Sequence, residues 1–160
     1  MLYRIAALAV TALFALPAQA QLLAHKDLSL ATALTIATTA ADTCKGQGNR
    51  VSVTVVGRTG EVIVQLRGDD ASPHTIENSQ RKAYTSRTFR VPSGEIAQRL
   101  KTDPTAFFVH QNGVIAAQGA LPIKLGDEVI GAVGVSGSPG GDKDEVCAKA
   151  GIDKVADQMK

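Results

Sequence analysis

The stretch from Gly131 to Gly151, GAVGVSGSPGGDKDEVCAKAG, constrains the fold more than any other part of the chain. Val133 and Val135 alternate with small residues up to Ser136, which predicts a buried strand whose glycines let another backbone or a ligand approach closely. Gly137-Ser138-Pro139-Gly140-Gly141 follows as a loop, and Asp142 to Glu145 has the D-x-x-E spacing of a capping box opening a helix. Strand, glycine loop and helix start in that order also form a candidate anion cradle, with Gly137, Ser138, Gly140 and Gly141 aiming amides at a carboxylate or phosphate. A plain helix start competes with this, because Asp142, Asp144 and Glu145 already bring negative charge to the helix terminus. Neither G-x-x-x-x-G-K-[ST] nor a complete G-x-G-x-x-G unit is present, so a nucleotide-phosphate loop of those kinds is excluded.

The beginning of the chain bears on where that domain works. Residues 1–20 carry one charge, Arg4, then an apolar run from Ile5 to Leu16, Pro17, and the small-x-small ending Ala18-Gln19-Ala20. This is the pattern of a secretory signal peptide cleaved before Gln21. The apolar run is shorter than the roughly 20 residues of a membrane span, and no other segment is apolar enough for one. Residues 21–160 are then a single domain of a size able to bury its own core, placed in the periplasm or secreted. Without Arg4, the 17 basic residues fall to 16 against 15 acidic ones, scattered along the chain, and Trp is absent. That argues against nucleic acid as a partner.

Taken in order, Asp27-Leu28-Ser29 opens a helix whose inward stripe is expected to be Leu30, Leu34, Ala37, Ala41 and Cys44. Val51, Val53 and Val55 alternate with Ser52 and Thr54, and Gly57-Arg58-Thr59-Gly60 turns this strand back into Glu61 to Leu66 as a hairpin. Arg67-Gly68-Asp69 falls in a loop and is read as that alone. Ser93-Gly94-Glu95 caps a short helix over residues 96–101. Strands are expected over 114–118 and 119–124 and in the glycine-rich stretch, before a last helix with Val146, Cys147, Ala150 and Val155. Tight turns between successive strands predict an α+β domain with a largely antiparallel, five-stranded sheet flanked by helices.

The helix expected from His74 to Phe89 places His74, Asn78, Arg81 and Thr85 on one stripe, with Lys82 at its edge and Glu77 four residues before Arg81. Such a stripe is either a solvated face or a pocket wall with one imidazole and two cations. Two cysteines, Cys44 and Cys147, in an exported chain predict one disulfide, a nucleophilic cysteine being the alternative. No His-x-x-x-His or Cys-x-x-Cys spacing marks a zinc site, and Gly134-Val135-Ser136-Gly137 is not G-x-S-x-G.

The block GAVGVSGSPGGDKDEVCAKAGI, with QNGVIAAQGALPIKLGDEVIGAVG before it, resembles the GlcG/HbpS-type family of haem-binding proteins, related to the C-terminal domain of PduO-type corrinoid adenosyltransferases. The segment SPHTIENSQRKAYTSRTF is similar to a second block of that family, whose Arg-Lys-Ala core stands here as Arg81-Lys82-Ala83 followed by Thr85. The resemblance implies a profilin-like layered sheet and homo-oligomers. It implies haem as the ligand, with His74 as the candidate haem-iron ligand and His110 and His25 as rivals. Arg81 and Lys82 are then the partners of the propionates, or of a small hydroxy acid.

Three functions follow as expectations. The first is an exported binding protein for haem or a related tetrapyrrole, with a role in iron or haem handling. The second is an enzyme or accessory factor acting on a small organic hydroxy acid, and the third a ligand-free structural or sensor-partner oligomer. The leader predicts that the exported protein begins at Gln21. Intact-mass measurement checks this, and a retained segment 1–20 in correctly localised protein contradicts it.

Overall fold

The computed structural model describes residues 23–103, 105–106 and 110–159. The expected leader, and the apolar segment Phe107-Phe108-Val109, lie outside the described residues. Helix α1 spans Leu30–Gly46, followed by strands β1, Ser52–Val56, and β2, Val62–Arg67. Helices α2, His74–Phe89, and α3, Ser93–Thr102, precede β3, Ala120–Leu125, and β4, Glu128–Ser136; α4, Gly141–Lys154, and a short 3-10 turn, Ala156–Gln158, complete the chain. The strands form one antiparallel sheet in the order β2-β1-β4-β3. Among the described residues, no helix is long and apolar enough to cross a membrane.

Every residue of β1 is buried, although its sequence alternates valine with hydroxyl residues. The reason is that both faces of the sheet are covered. Val53 and Val55 join the apolar core with Ile36, Ala40, Val133, Val135 and Ala148, between the sheet and the layer of α1 and α4. On the other face Ser52 pairs with Thr75 and Thr54 with Ser79, each at 2.8 Å, so the buried hydroxyls of the strand find partners on α2. The alternation that usually separates core from solvent here separates an apolar core from a hydrogen-bonded one. Helix α2 also lies close to β4: a Cβ built on Gly134 would collide with Ser79 O and stand 2.7 Å from Ala83 N. The glycine expected to admit a backbone admits that of α2.

Three expectations are corrected. The buried stripe of α1 is Ala33, Ile36, Ala37, Ala40 and Cys44, whereas Leu30 and Leu34 are 64% and 45% exposed. Alanines face inward because α1 and α4 approach closely, with Gly151 packed against the Ile36 carbonyl; leucines would hold the helices apart. The sheet has four strands rather than five, because residues 114–118 do not join it. Side chains of α2 take the backbone groups of that extended segment instead: Arg81 Nη2 donates to Val114 O at 2.8 Å, and Ile115 N donates to Thr85 Oγ1 at 2.9 Å. The capping box does not form either, since Gly140 is the N-cap of α4 and no side chain caps it.

The Arg67-Gly68-Asp69 segment is a closed turn in which Arg67 Nε donates to Ala71 O at 3.1 Å. The two cysteines meet. Cys44 on α1 and Cys147 on α4 form a disulfide with Cα atoms 5.6 Å apart, both fully buried, across 103 residues of chain. Closing so long a loop predicts that replacing both cysteines by alanine lowers stability by about 4 kcal/mol. Urea unfolding under oxidising conditions measures the loss. Two free thiols in oxidised wild-type protein would contradict the bond.

Candidate functional site

A cleft of about 390 Å³ opens where the N-terminal half of α2 meets the loop after β4. Seven residues singled out in the sequence line it: His74, Asn78, Lys82, Gly137, Ser138, Gly140 and Gly141. Arg81 and Thr85 do not, being turned toward residues 114–115 as described. The one-stripe reading of α2 is therefore split. His74 and Asn78 sit at the exposed mouth, Lys82 is on the floor, and Thr85 is buried elsewhere. Arg81 keeps the expected pairing with Glu77, at 3.5 Å and largely in solvent, where such a pair contributes little.

The floor is organised by one buried ion pair. Lys82 Nζ donates to Asp144 Oδ2 at 2.9 Å and to Val135 O at 3.0 Å, and both charged side chains are less than a tenth exposed. The other carboxylate oxygen, Asp144 Oδ1, accepts from Ser138 N at 3.0 Å. Asp144 of α4 thus holds α2 and the glycine loop in register, and Lys82 ties the end of β4 to them. The Ser138 amide, expected to hold the carboxylate of a ligand, is already occupied by that of Asp144. Ser138 also lies 3.5 Å from Cys44 Sγ through its hydroxyl, which ties the loop to the disulfide. Gln118, which also lines the cleft, donates through Nε2 to Glu145 Oε2 at 2.9 Å.

Chemically, the cleft offers an exposed imidazole, a carboxamide, hydroxyls and a neutralised cation. Among the described residues, no three His, Cys, Asp or Glu side chains are grouped to hold a bare metal ion. His110 and His25, both exposed, are not among the residues that line it.

A family profile described as "Haem degrading protein HbpS-like" matches residues 28–153. The chain belongs to the HbpS-like family. The crystal structure of HbpS superposes with a TM-score of 0.78 at 35% identity, covering 82% of this chain and 92% of that one. An uncharacterised 15.0 kDa protein of Citrobacter freundii, from the dhaT-dhaS intergenic region, is 31% identical over 106 residues, 64% of this chain and 74% of its own. The structure of a PduOC:haem complex shares the fold, with a TM-score of 0.73 at 22% identity over 79% of this chain and 94% of that one.

In this HbpS-like chain Asp144 is the site residue that sequence reasoning missed as such. It stood in plain view inside D-x-x-E, but a carboxylate in the first turn of a helix is explained by the helix itself, and only the fold brings Lys82 beneath it. Ala117, Gln118 and Ser136 line the cleft too and carry no sequence signal of their own.

Removing one partner of a buried ion pair strands the other charge. Lys82→Met is therefore expected to cost about 3–5 kcal/mol. Urea unfolding checks this, and a loss under about 1 kcal/mol would mean that water reaches Asp144 and the pair is not a structural brace.

Proposed function

We propose that this protein is an exported binding protein for haem or a related tetrapyrrole, with a role in haem and iron handling, and that the cleft beneath His74 is its binding site. The observation that carries the reading is the match of residues 28–153 to a family described as haem degrading, in a chain whose cleft presents an imidazole at its mouth. The PduOC neighbour, of the same fold, was solved with haem bound. Export is supported by the leader pattern of residues 1–20 and by a buried disulfide of the kind that oxidising compartments permit.

The residues present fit such a ligand in one respect and narrow it in another. His74 is exposed at the first position of α2, held by a helix that is braced on the sheet, so a ring nitrogen is available without rearrangement. Bound haem would supply an iron centre that the His74 imidazole would hold. Ala117 and Pro139 give the cleft apolar wall, and Asn78 gives it a hydrogen-bonding edge. Arg81 lies outside the cleft lining, bonded to Val114 O and Glu77, but its side chain stays partly exposed, so it is the cation that a propionate reaching out of the cleft would meet. Lys82 is not, because its ammonium is spent on Asp144 and Val135 O.

A small hydroxy acid is the second reading, favoured by the polar hydroxyl, amide and carboxamide groups around the cleft. The homo-oligomer implied by the family resemblance belongs with either. The uncharged, exposed side chains of Leu30 and Leu34 on α1 and Val146 on α4 offer surface for it.

Hemin added to the purified protein is expected to produce a shifted, saturable Soret band. His74→Ala should change the band, and Arg81→Ala should weaken affinity by about tenfold while leaving the band in place. An unchanged spectrum in His74→Ala removes His74 as ligand and leaves His110 next. No Soret shift in wild type moves the small-acid reading ahead.

A further inference from the structure

The end of α2 far from the cleft carries charges that haem binding does not use. The β1–β2 turn packs on this end of the helix, with Gly60 against the ring of Tyr84: a Cβ built on Gly60 would stand 2.8 Å from Tyr84 Cε2. Arg87 lies one turn beyond Tyr84 on the same side, and Arg90 closes the helix in the left-handed region at φ 61°. Arg58 joins them from the turn.

Arg58 has partners for its terminal nitrogens, although its Nε is buried without an acceptor among the described residues. Its terminal nitrogens donate to Glu128 and to the Lys26 carbonyl, and the hydrogen bond to Glu128 raises the Arg58 pKa while holding Glu128 below the usual carboxylate range. Arg87 has none. Among the described residues its guanidinium makes no hydrogen bond or salt bridge, and its Nε is sealed from solvent without an acceptor. The carboxylates within electrostatic reach do not supply one. Glu61 accepts from the Thr59 amide at 3.0 Å and from its hydroxyl, and those hydrogen bonds keep it ionised below the ordinary range; Glu128 belongs to Arg58. Asp27 acts on Arg87 only through space. Burial first, then the like charges of Arg90 and Arg58, depress the pKa of Arg87. A half-buried guanidinium with idle donors beside two further cations is an arrangement that an anion relieves.

We propose that Arg87, flanked by Arg58 and Arg90, is a binding site for a small oxyanion, a carboxylate or phosphate group held end-on by the two terminal nitrogens of Arg87. The sealed Nε leaves those nitrogens as the face a ligand can reach. Thirteen helical steps separate Arg87 from His74, about 20 Å, so the site is independent of the cleft.

The test uses the full exported chain, titrated separately with sodium phosphate and sodium acetate at ionic strength held constant with chloride. The Nε–Hε signal of Arg87, assigned by its loss in Arg87→Gln, is followed by NMR. It is expected to move saturably with at least one of the two anions, and the melting temperature should rise with the same anion. The arm that saturates identifies carboxylate or phosphate as the ligand group. In Arg87→Gln the anion-dependent rise in melting temperature should weaken by about tenfold or more in apparent affinity. Without added anion, that variant should melt no lower than wild type, because it removes an unpartnered charge. Shifts that stay linear with both anions, or a melting rise that is identical in wild type and Arg87→Gln, overturn the proposal, the response then being general ion screening. A markedly lower melting temperature for anion-free Arg87→Gln overturns it as well, since Arg87 would then be a structural group.

Discussion

The arrangement of the site depends on the buried pair of Lys82 and Asp144. Its net contribution to stability is small, because two charges must leave water to form it, but the cost of breaking it is large. Its value lies in what it fixes. Lys82 comes from the middle of α2, Asp144 from the first turns of α4, and the pair also engages Val135 O and Ser138 N. Helix α2 and the distant stretch from Val135 to Asp144, which runs from strand through loop to helix, can satisfy these hydrogen bonds in one mutual placement only. A slip of α2 by one turn would bury Lys82 without its carboxylate, and a different loop path would leave Ser138 N or Asp144 Oδ1 without a partner.

This explains why the glycine-rich loop is not a phosphate loop despite its composition. In phosphate-binding loops the amides and the helix terminus wait for the ligand's charge. Here Asp144 fills part of that role internally, and Asp142 adds a second negative charge to the first turn. An incoming anion would meet carboxylates already in place. What remains for recognition at the cleft is the imidazole of His74 and the neutral polar groups around it, which suits a ligand held through a metal centre or through hydrogen bonds better than one held by charge alone.

Much of the fold was legible from residues whose constraints are local. The boundaries of α2, the hairpin of β1 and β2, the buried glycine strand and the cysteine pairing were all readable, the last because a chain with two cysteines has few options. The misreadings share a cause. Leu30 and Leu34 looked like core because hydrophobicity was weighed without the helix spacing that Gly151 permits, and residues 114–118 looked like a strand because nothing in their own sequence shows that Arg81 and Thr85 satisfy their backbone. In both, a partner distant in sequence decides the outcome. The site follows the same rule: His74, Asn78 and the loop glycines were recognisable by type, whereas the commitment of Lys82 to Asp144 was not.

Helix α2 is the element through which these features communicate. One side carries hydroxyls that pair with β1, and its close approach to β4 requires Gly134. Braced in this way it cannot rotate to bring Arg81 or Thr85 into the cleft without surrendering the bonds to residues 114–115. The consequence is a division along its length. The N-terminal end presents an imidazole over a charge-neutral floor, and the C-terminal end gathers arginines, one of which has no salt-bridge partner among the described residues. A helix dipole favours cations at its C-terminus, which makes that end the less costly place to hold an unpaired arginine.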